Sequence, residues 1–549
     1  MTMYRTFLFI ATLILNTILT PSFAQNKTDR STLLSEIETD LKENILSFWA
    51  ENSVDPQGGF HGVLDGSGKA VPGASKGGVL NARILWTFSQ AYGAYGLDEH
   101  KMLADRAQRE IIDRFMDPTY GGLVWTISPD GSILDGTKQT YCMAYGIYGL
   151  SEHFRVTGNK ESLKAAIEIF NTLEEKVHDH NKGGYREVSA RDWSATKSDG
   201  VDGKKGATKT MNTHIHILEA YTTLYHVWSD EKVKECLLEL IDILQNKLYD
   251  PQTKHLVLFC DDEWNPLEEV HSYGHDIETS WLLSEAARAT EDAELIEAID
   301  RQAIEMTDTA LKEGLNGDGA MIYEKNAEGY LTHLSWWPQC ETVIGCINAW
   351  EITGDEKYFK AACRTWDYIK SHFIDKENGE WFKRLDSEGN PSVREPKASE
   401  WNCPYHNSRV GFEAIRRLAP EKVHTEVMAW SNITGVRMNG ELVDFESTLR
   451  VGKPDGYMEA TGRERQNNVR YHREGDTQIV NIPLQGARFT QKVTDVNENT
   501  VNIEWAAEAD ETSDKGAYFC MTFSGQHYAD ATFKIKGKEI SISSPTRTI

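Results

Sequence analysis

The chain has 549 residues, more than one average domain uses, so two or three domains are expected. Hydrophobic residues at 40% and charged residues at 26% exclude a largely disordered protein. Fifty-eight Lys+Arg against 84 Asp+Glu, a net charge of −26, argue against nucleic acid and anionic membrane surfaces, both of which need clustered positive charge. Fifteen tryptophans suit a packed core or a site that stacks on the flat faces of sugars.

At the N-terminus, Arg5 precedes a mostly apolar run from Phe7 to Leu19, and Ser22-Phe23-Ala24 puts small residues where a signal peptidase cuts before Gln25. Residues 1–24 therefore read as a secretory signal, and the protein as exported, periplasmic or secreted. No later apolar run is long enough to span a bilayer, so no membrane partner is expected. The eight cysteines form no CxxC pair and no regular spacing. Buried thiols are expected, with one or two disulfides still open in an exported protein.

One phrase then recurs along the chain. Asp55-Pro56-Gln57-Gly58-Gly59-Phe60 is followed by Asp117-Pro118-Thr119-Tyr120-Gly121-Gly122-Leu123 and by Asn181-Lys182-Gly183-Gly184-Tyr185. Asp250-Pro251-Gln252-Thr253-Lys254-His255-Leu256, Asn316-Gly317-Asp318-Gly319-Ala320 and Lys376-Glu377-Asn378-Gly379-Glu380-Trp381 complete the set. Gly in a tight turn followed by an apolar residue predicts a β-hairpin in each. Between hairpins lie two helical patterns. One is amphipathic (Leu163–Val177, Val233–Leu248, Tyr358–Phe373). The other is apolar nearly all round (Val79–Gly96, Thr140–Gly158, Met211–Trp228, His275–Ala289, Cys340–Ile352, Tyr405–Leu418), hence buried. Six such pairs with no polar capping repeat predict a closed (α/α)6 barrel over residues 31–422, with a linear solenoid as its rival.

From residue 424 to 549 the texture changes. Alternating runs at Thr477–Ile482, Thr500–Trp505 and Ala531–Ile535, separated by Asn439-Gly440, Glu474-Gly475-Asp476 and Lys536-Gly537-Lys538, predict a smaller all-β, sandwich-like domain. The phrase Met458-Glu459-Ala460-Thr461-Gly462-Arg463 is distinctive there and suggests no chemistry.

Inner-helix N-termini should gather at one mouth of the barrel, and their polar residues are the site candidates. Met211-Asn212-Thr213-His214-Ile215-His216 places Asn212 and His216 on one face, with His214 about 200° away from His216. In Tyr273-Gly274-His275-Asp276-Ile277-Glu278 the i,i+3 spacing lets Glu278 orient His275. Trp336-Trp337-Pro338-Gln339-Cys340-Glu341 precedes the fifth helix, and Trp401-Asn402-Cys403-Pro404-Tyr405-His406 begins the sixth; Arg83 and Tyr141 lie on the first and second. His and Glu are also metal ligands, but His214 and His216 cannot face one ion and no HExxH or Asp-rich loop occurs, so no metal is expected.

Asn212-Thr213-His214-x-His216, Gly274-His275-Asp276-x-Glu278, Trp336-Trp337-Pro338-Gln339-x-Glu341 and Trp401-x-x-x-Tyr405-His406 resemble the N-acylglucosamine 2-epimerase superfamily, and among its members the cellobiose 2-epimerases. The resemblance covers about residues 31–420. It implies cofactor-free inversion at C2 of the reducing-end sugar of a di- or oligosaccharide: cellobiose to glucosyl-mannose, or mannobiose to mannosyl-glucose. It further implies His275 and His406 as a two-face acid/base pair and His216 as an aid to ring opening or enediolate stabilisation. Arg83 would offset oxyanion charge, Asn212 and Tyr141 would position hydroxyls, and Glu278 would orient His275. Trp337 and Trp401 would hold the sugar rings, with Trp336 and Glu341 completing the binding surface. Imidazole suits this chemistry because it both accepts and donates protons near neutrality.

Three other activities fit the residues: an aldose–ketose isomerase or N-acylglucosamine 2-epimerase on the same site, a glycoside hydrolase using Asp276, Glu278 or Glu341, and a non-catalytic carbohydrate binder. A monomer is expected.

Overall fold

The computed structural model describes residues 7–14, 21–196, 200, 203–392, 395–419, 424–427, 431–438, 441–452, 458–460, 470–484, 487–497, 500–509, 516–523, 532–535 and 538–541. Arg5, the turn residues Asn439-Gly440 and Lys536-Gly537, and Thr461-Gly462-Arg463 lie outside them. The chain divides into two compact units, Thr32–Arg417 and the strands that follow Leu418, the latter joined by the N-terminal strand Phe7–Ile14.

The helices run in chain order α1 (Pro21–Asp40), α2 (Ser47–Asn52), α3 (Gly78–Tyr95), α4 (Asp98–Glu110), α5 (Thr140–Thr157), α6 (Lys160–Lys176), α7 (Met211–Val227), α8 (Glu231–Asn246), α9 (Tyr273–Thr290), α10 (Ala293–Gly314), α11 (Trp336–Thr353), α12 (Glu356–Tyr368) and α13 (Tyr405–Leu418). Odd-numbered helices from α3 onward are the inner set, and α3 and α5 bury every residue from Gly78 to Ser89 and from Thr140 to His153. Inner helices pass to outer ones through a compact reversal. Gly96, Gly158 and Gly354 end α3, α5 and α11 in the left-handed conformation, with φ of 65°, 69° and 68°. Asn159, Asp230, Asp292 and Asp355 then cap α6, α8, α10 and α12 by accepting amide hydrogen bonds from the first turn.

Each recurrent phrase closes on one antiparallel bridge: Val54 with Phe60, Met116 with Leu123, His178 with Tyr185, Tyr249 with Leu256, Leu315 with Met321 and Ile374 with Trp381. The two residues before each inner helix then pair with the hairpin of the next repeat: Lys76–Gly77 with Thr126–Ile127, Lys138–Gln139 with Val188–Ser189, Lys209–Thr210 with Phe259–Cys260, His271–Ser272 with Glu324–Lys325, and Leu334–Ser335 with Arg384–Leu385. Ala398, just before the sixth inner helix, pairs back to Leu64 in the first repeat, the Leu64 amide donating to its carbonyl at 3.0 Å. Thr87 on α3 also meets Ser408 on α13, hydroxyl to hydroxyl at 3.2 Å. These contacts close the six repeats into an (α/α)6 barrel, and the linear solenoid is ruled out.

Two helices start earlier than their apolar patterns suggest, α9 at Tyr273 and α11 at Trp336. His275 therefore lies in a first turn, and so does Pro338, where the missing N–H costs no helical hydrogen bond.

The second unit is all-β. One sheet has the order Phe7–Ile14, Thr500–Ala509, Ala487–Asn497, Thr477–Leu484, Arg470–Glu474. In the other, His424–Val427, Ile433–Met438 and Glu441–Gly452 are neighbours, and Glu441–Gly452 also pairs with Met458–Ala460 and Gly516–Phe523. Ile433, Val436 and Phe445 of this sheet share a core with Val493, Val501 and Ile503 of the first, which makes the pair a sandwich. A separate hairpin joins Thr532–Ile535 to Lys538–Ser541.

Candidate active site

Polar side chains from the first two turns of α7, α9, α11 and α13 converge inside the barrel. His406, on α13, places Nδ1 2.7 Å from Glu341 Oε1 of α11. A carboxylate accepts, so this partner holds the Nδ1–H tautomer and leaves Nε2 to exchange a proton. His275, on α9, is held differently: its Nδ1 lies 2.8 Å from the Ser272 hydroxyl, which can donate or accept. His216, on α7, places Nδ1 3.1 Å from Glu219 Oε2 and 2.9 Å from the Tyr145 hydroxyl.

Trp337 links the two proposed bases, with its ring centroid 4.6 Å from the His275 ring and 5.7 Å from the His406 ring. That approach needs Gly274: a Cβ there would sit 2.7 Å from the Trp337 ring and 2.9 Å from Pro338 Cβ. Trp336 is buried and turns an edge toward His406. Trp401, 38% exposed, lies beside Trp125 and Tyr141. Arg83 donates from Nη2 to Tyr141 at 2.7 Å and to Tyr145 at 2.8 Å. Tyr141 sets its ring edge-on to His216 at 5.0 Å, and Asn212 sits one turn before His216 on α7.

Beneath this surface Arg409 is fully buried and serves three carboxylates. It donates from Nη1 to Glu219 and from Nη2 to Glu278 and Glu341, the last at 2.7 Å. Tyr405 also donates to Glu219, and Trp281 Nε1 donates to Glu341 at 3.0 Å. One guanidinium thus anchors both Glu219, which holds His216, and Glu341, which holds His406.

This corrects one sequence expectation. Glu278 does not orient His275; its carboxylate turns to Arg409, because a buried carboxylate needs a charged partner and His275 is already tied back to Ser272. Glu341 is fully buried and pairs with His406 at 2.7 Å. His214 packs away from the site, accepting the Tyr185 amide at 3.0 Å, as its helical position implied. Sequence reading missed Arg409, Glu219, Tyr145, Ser272 and Trp125. Arg409 and Glu219 sit three residues after His406 and His216, so i,i+3 spacing was the available signal.

Charge states follow from burial. Burial, and secondarily His216, lowers the pKa of His275 to about 3. Burial and then Arg409 hold His406 well below the ordinary histidine range. Both imidazoles are therefore neutral at pH 7 in the free protein. Burial raises Glu278 to about 7, with Glu341 adding to the effect. Burial pushes Glu219 up too, but Arg409 and the hydrogen bond with His216 outweigh it and bring the carboxyl to about 2.

A profile of the N-acylglucosamine 2-epimerase (GlcNAc 2-epimerase) family matches residues 58–408, which include all of these positions except Arg409, the next residue along. The chain belongs to that family. It is a carbohydrate epimerase, and its similarity to a cellobiose 2-epimerase of Bacteroides fragilis is 43% identity over 387 residues, covering 70% of this chain and 98% of the relative. The solved cellobiose 2-epimerase of Bacillus thermoamylovorans is similar at 36% identity with a TM-score of 0.67, covering 70% of this chain and all of that one. A solved D-mannose isomerase shares the fold at 20% identity and a TM-score of 0.62. The family match ends before the strand His424–Val427, with which the C-terminal run of strands begins.

Proposed function

We propose that this epimerase inverts C2 of the reducing-end sugar of a β-1,4-linked disaccharide, with cellobiose and mannobiose as the leading substrates. The observation that carries the chemistry is the His275–Trp337–His406 arrangement: two neutral imidazoles, each with Nδ1 engaged, whose rings lie 4.6 and 5.7 Å from one indole. The relatives named as cellobiose 2-epimerases support the choice of sugar.

In the ring-opened aldose the C2 hydrogen is acidic because it lies beside the aldehyde. One imidazole Nε2 takes that proton, and the C2 electron pair moves into an enediolate with charge on O1. The other imidazole, protonated from solvent once the sugar is bound, delivers that proton from its imidazolium form to the opposite face of C2, and the carbonyl re-forms. The two histidines end with their protonation states exchanged, so no proton or electron is gained or lost overall. Arg83 and His216 are assigned to offset the charge that develops on O1 and O2. Trp401 and Trp125 offer flat faces for the second sugar.

Incubation with cellobiose and with mannobiose in D2O, read by NMR, tests this reading. Appearance of the C2 epimer with deuterium at C2 is the expected result. A ketose as main product, free monosaccharide, or binding without turnover would each refute it.

Export of the chain belongs to the same proposal. The N-terminal run supports cleavage after Ala24, which would also remove Phe7–Ile14 from its place beside Thr500–Ala509. N-terminal sequencing of the protein from cells should begin at Gln25; a start at Met1 would refute it.

A further inference from the structure

The fourth repeat departs from the first three at two positions. In repeats one to three the turn residue before the bridged apolar residue is Gly59, Gly122 or Gly184; in the fourth it is His255. In the same three repeats the strand before the inner helix begins with a lysine whose ammonium meets the hairpin aspartate. Lys76 lies 2.9 Å from Asp55, Lys138 3.0 Å from Asp117, and Lys209 3.0 Å from Asp179. In the fourth repeat that strand begins with His271. A built-in cation has been replaced by an uncharged donor of lone pairs.

The two imidazoles stack with ring centroids 3.9 Å apart, and Glu313, from the last turn of α10, comes to the same place. His255 Nδ1 lies 2.7 Å from Asp276 Oδ2, whose other oxygen accepts the Leu256 amide at 2.9 Å. That contact leaves His255 Nε2 facing Glu313 Oε2 at 3.4 Å, without hydrogen-bond geometry. His271 Nδ1 is also buried and makes no hydrogen bond among the described residues. One ligand atom from each of His255, His271 and Glu313 falls within 4.8 Å of the others.

We propose that His255, His271 and Glu313 form a binding site for a divalent transition-metal ion of the zinc class. Two imidazoles and one carboxylate are a donor set suited to tetrahedral Zn2+, with water as a fourth ligand. Bonds of about 2.1 Å place neighbouring ligand atoms about 3.4 Å apart in a tetrahedron, the separation of His255 and Glu313. Asp276 supplies the outer carboxylate that fixes a ligating imidazole by its far nitrogen. On binding, the stacked rings splay and His271 turns inward to complete the set. Asp276 is the neighbour of His275 in sequence, and Ser272, next to His271, holds His275; the ion would therefore brace the segment that carries one catalytic base. The ligands lie on three elements and 58 residues apart from first to last, so no local spacing reveals them.

Titration of the tag-free full chain with Co2+ tests the site, since Co2+ takes zinc positions and its visible d–d absorption reports tetrahedral ligands. One Co2+ per chain is expected, displaced by Zn2+, with affinity lowered roughly tenfold or more in both His271→Ala and Glu313→Gln. The signal should persist in His406→Ala. Absence of saturable binding, affinity unchanged in both ligand variants, or loss of the signal in His406→Ala would overturn the proposal. Glu313→Gln, at a half-buried helix end, keeps the test open if the histidine variant folds poorly.

Discussion

His406 Nδ1 and Arg409 Nη2 both lie 2.7 Å from the same oxygen, Glu341 Oε1. The carboxylate is shared between a proposed base and a structural cation one helical turn further along α13. Its removal should leave His406 free to rotate. Glu341→Gln is expected to lower kcat by roughly 10²-fold, the lower end of what a positioned acid or base contributes, with little change in KM. Initial rates on cellobiose measure both. An unchanged kcat would show that His406 needs no such support.

His275→Ala and His406→Ala should each lower epimerisation by at least about 10²- to 10⁴-fold while disaccharide binding survives, as read by calorimetry. Near-full activity in either variant would sink the two-base assignment.

Arg409→Met leaves Glu219, Glu278 and Glu341 crowded together without their cation. Breaking a buried ion pair by removing one partner typically costs about 3–5 kcal/mol, and the loss is expected in that range by denaturant unfolding. Glu278, whose pKa is already raised to about 7, would take up a proton first. A variant as stable as the parent would mean that the carboxylates are neutralised in some other way.

Acid should destabilise the barrel through His275. A group whose pKa is lower in the folded state than in the unfolded chain binds protons better when unfolded, so stability falls as pH drops below the unfolded value. For His275 the window runs from about 6.5, the ordinary histidine value, to about 3. Glu219, lowered to about 2, adds to the loss below the ordinary carboxylate range. His275→Asn should therefore flatten the fall of Tm between pH 6.5 and 4. An equal slope in the variant would contradict the buried neutral imidazole.

Gly274→Ala places a methyl group against Trp337 and Pro338. Overpacking of this kind costs about 1–3 kcal/mol, and displacement of the indole should lower kcat as well. Thermal unfolding and rates on one preparation check the two effects together.

Much of this architecture could be read from the residues themselves. Turn glycines and all-round apolar helices are local signals, and six copies of one pattern left few ways to pack. His216, His275 and His406 stood out because histidine is rare on an apolar helix. Arg409 and Glu219 did not stand out, since their meaning depends on partners far along the chain: Arg409 joins residues 190, 131 and 68 positions away. The Glu278 expectation failed for a related reason. Helical spacing allowed a His275–Glu278 pair, but the guanidinium of Arg409 competes for that carboxylate and a neutral imidazole cannot match it. In the β unit, alternation marked the strands, whereas the pairing of Glu441–Gly452 with Gly516–Phe523 is set by folding across the domain.

The bridge between Leu64 and Ala398 turns a string of repeats into a hoop. A string can fray from its ends and lose one repeat at a time. A hoop has no end repeat to shed, and opening any one joint frees the lead-in to an inner helix and loosens the pocket at its mouth. Melting of this barrel should thus be all-or-none, with catalytic competence and structure lost together. By the same logic the covalent break in the hoop is arbitrary: joining residue 32 to residue 417 with a suitable linker and reopening the chain at another outer turn should yield the same catalyst.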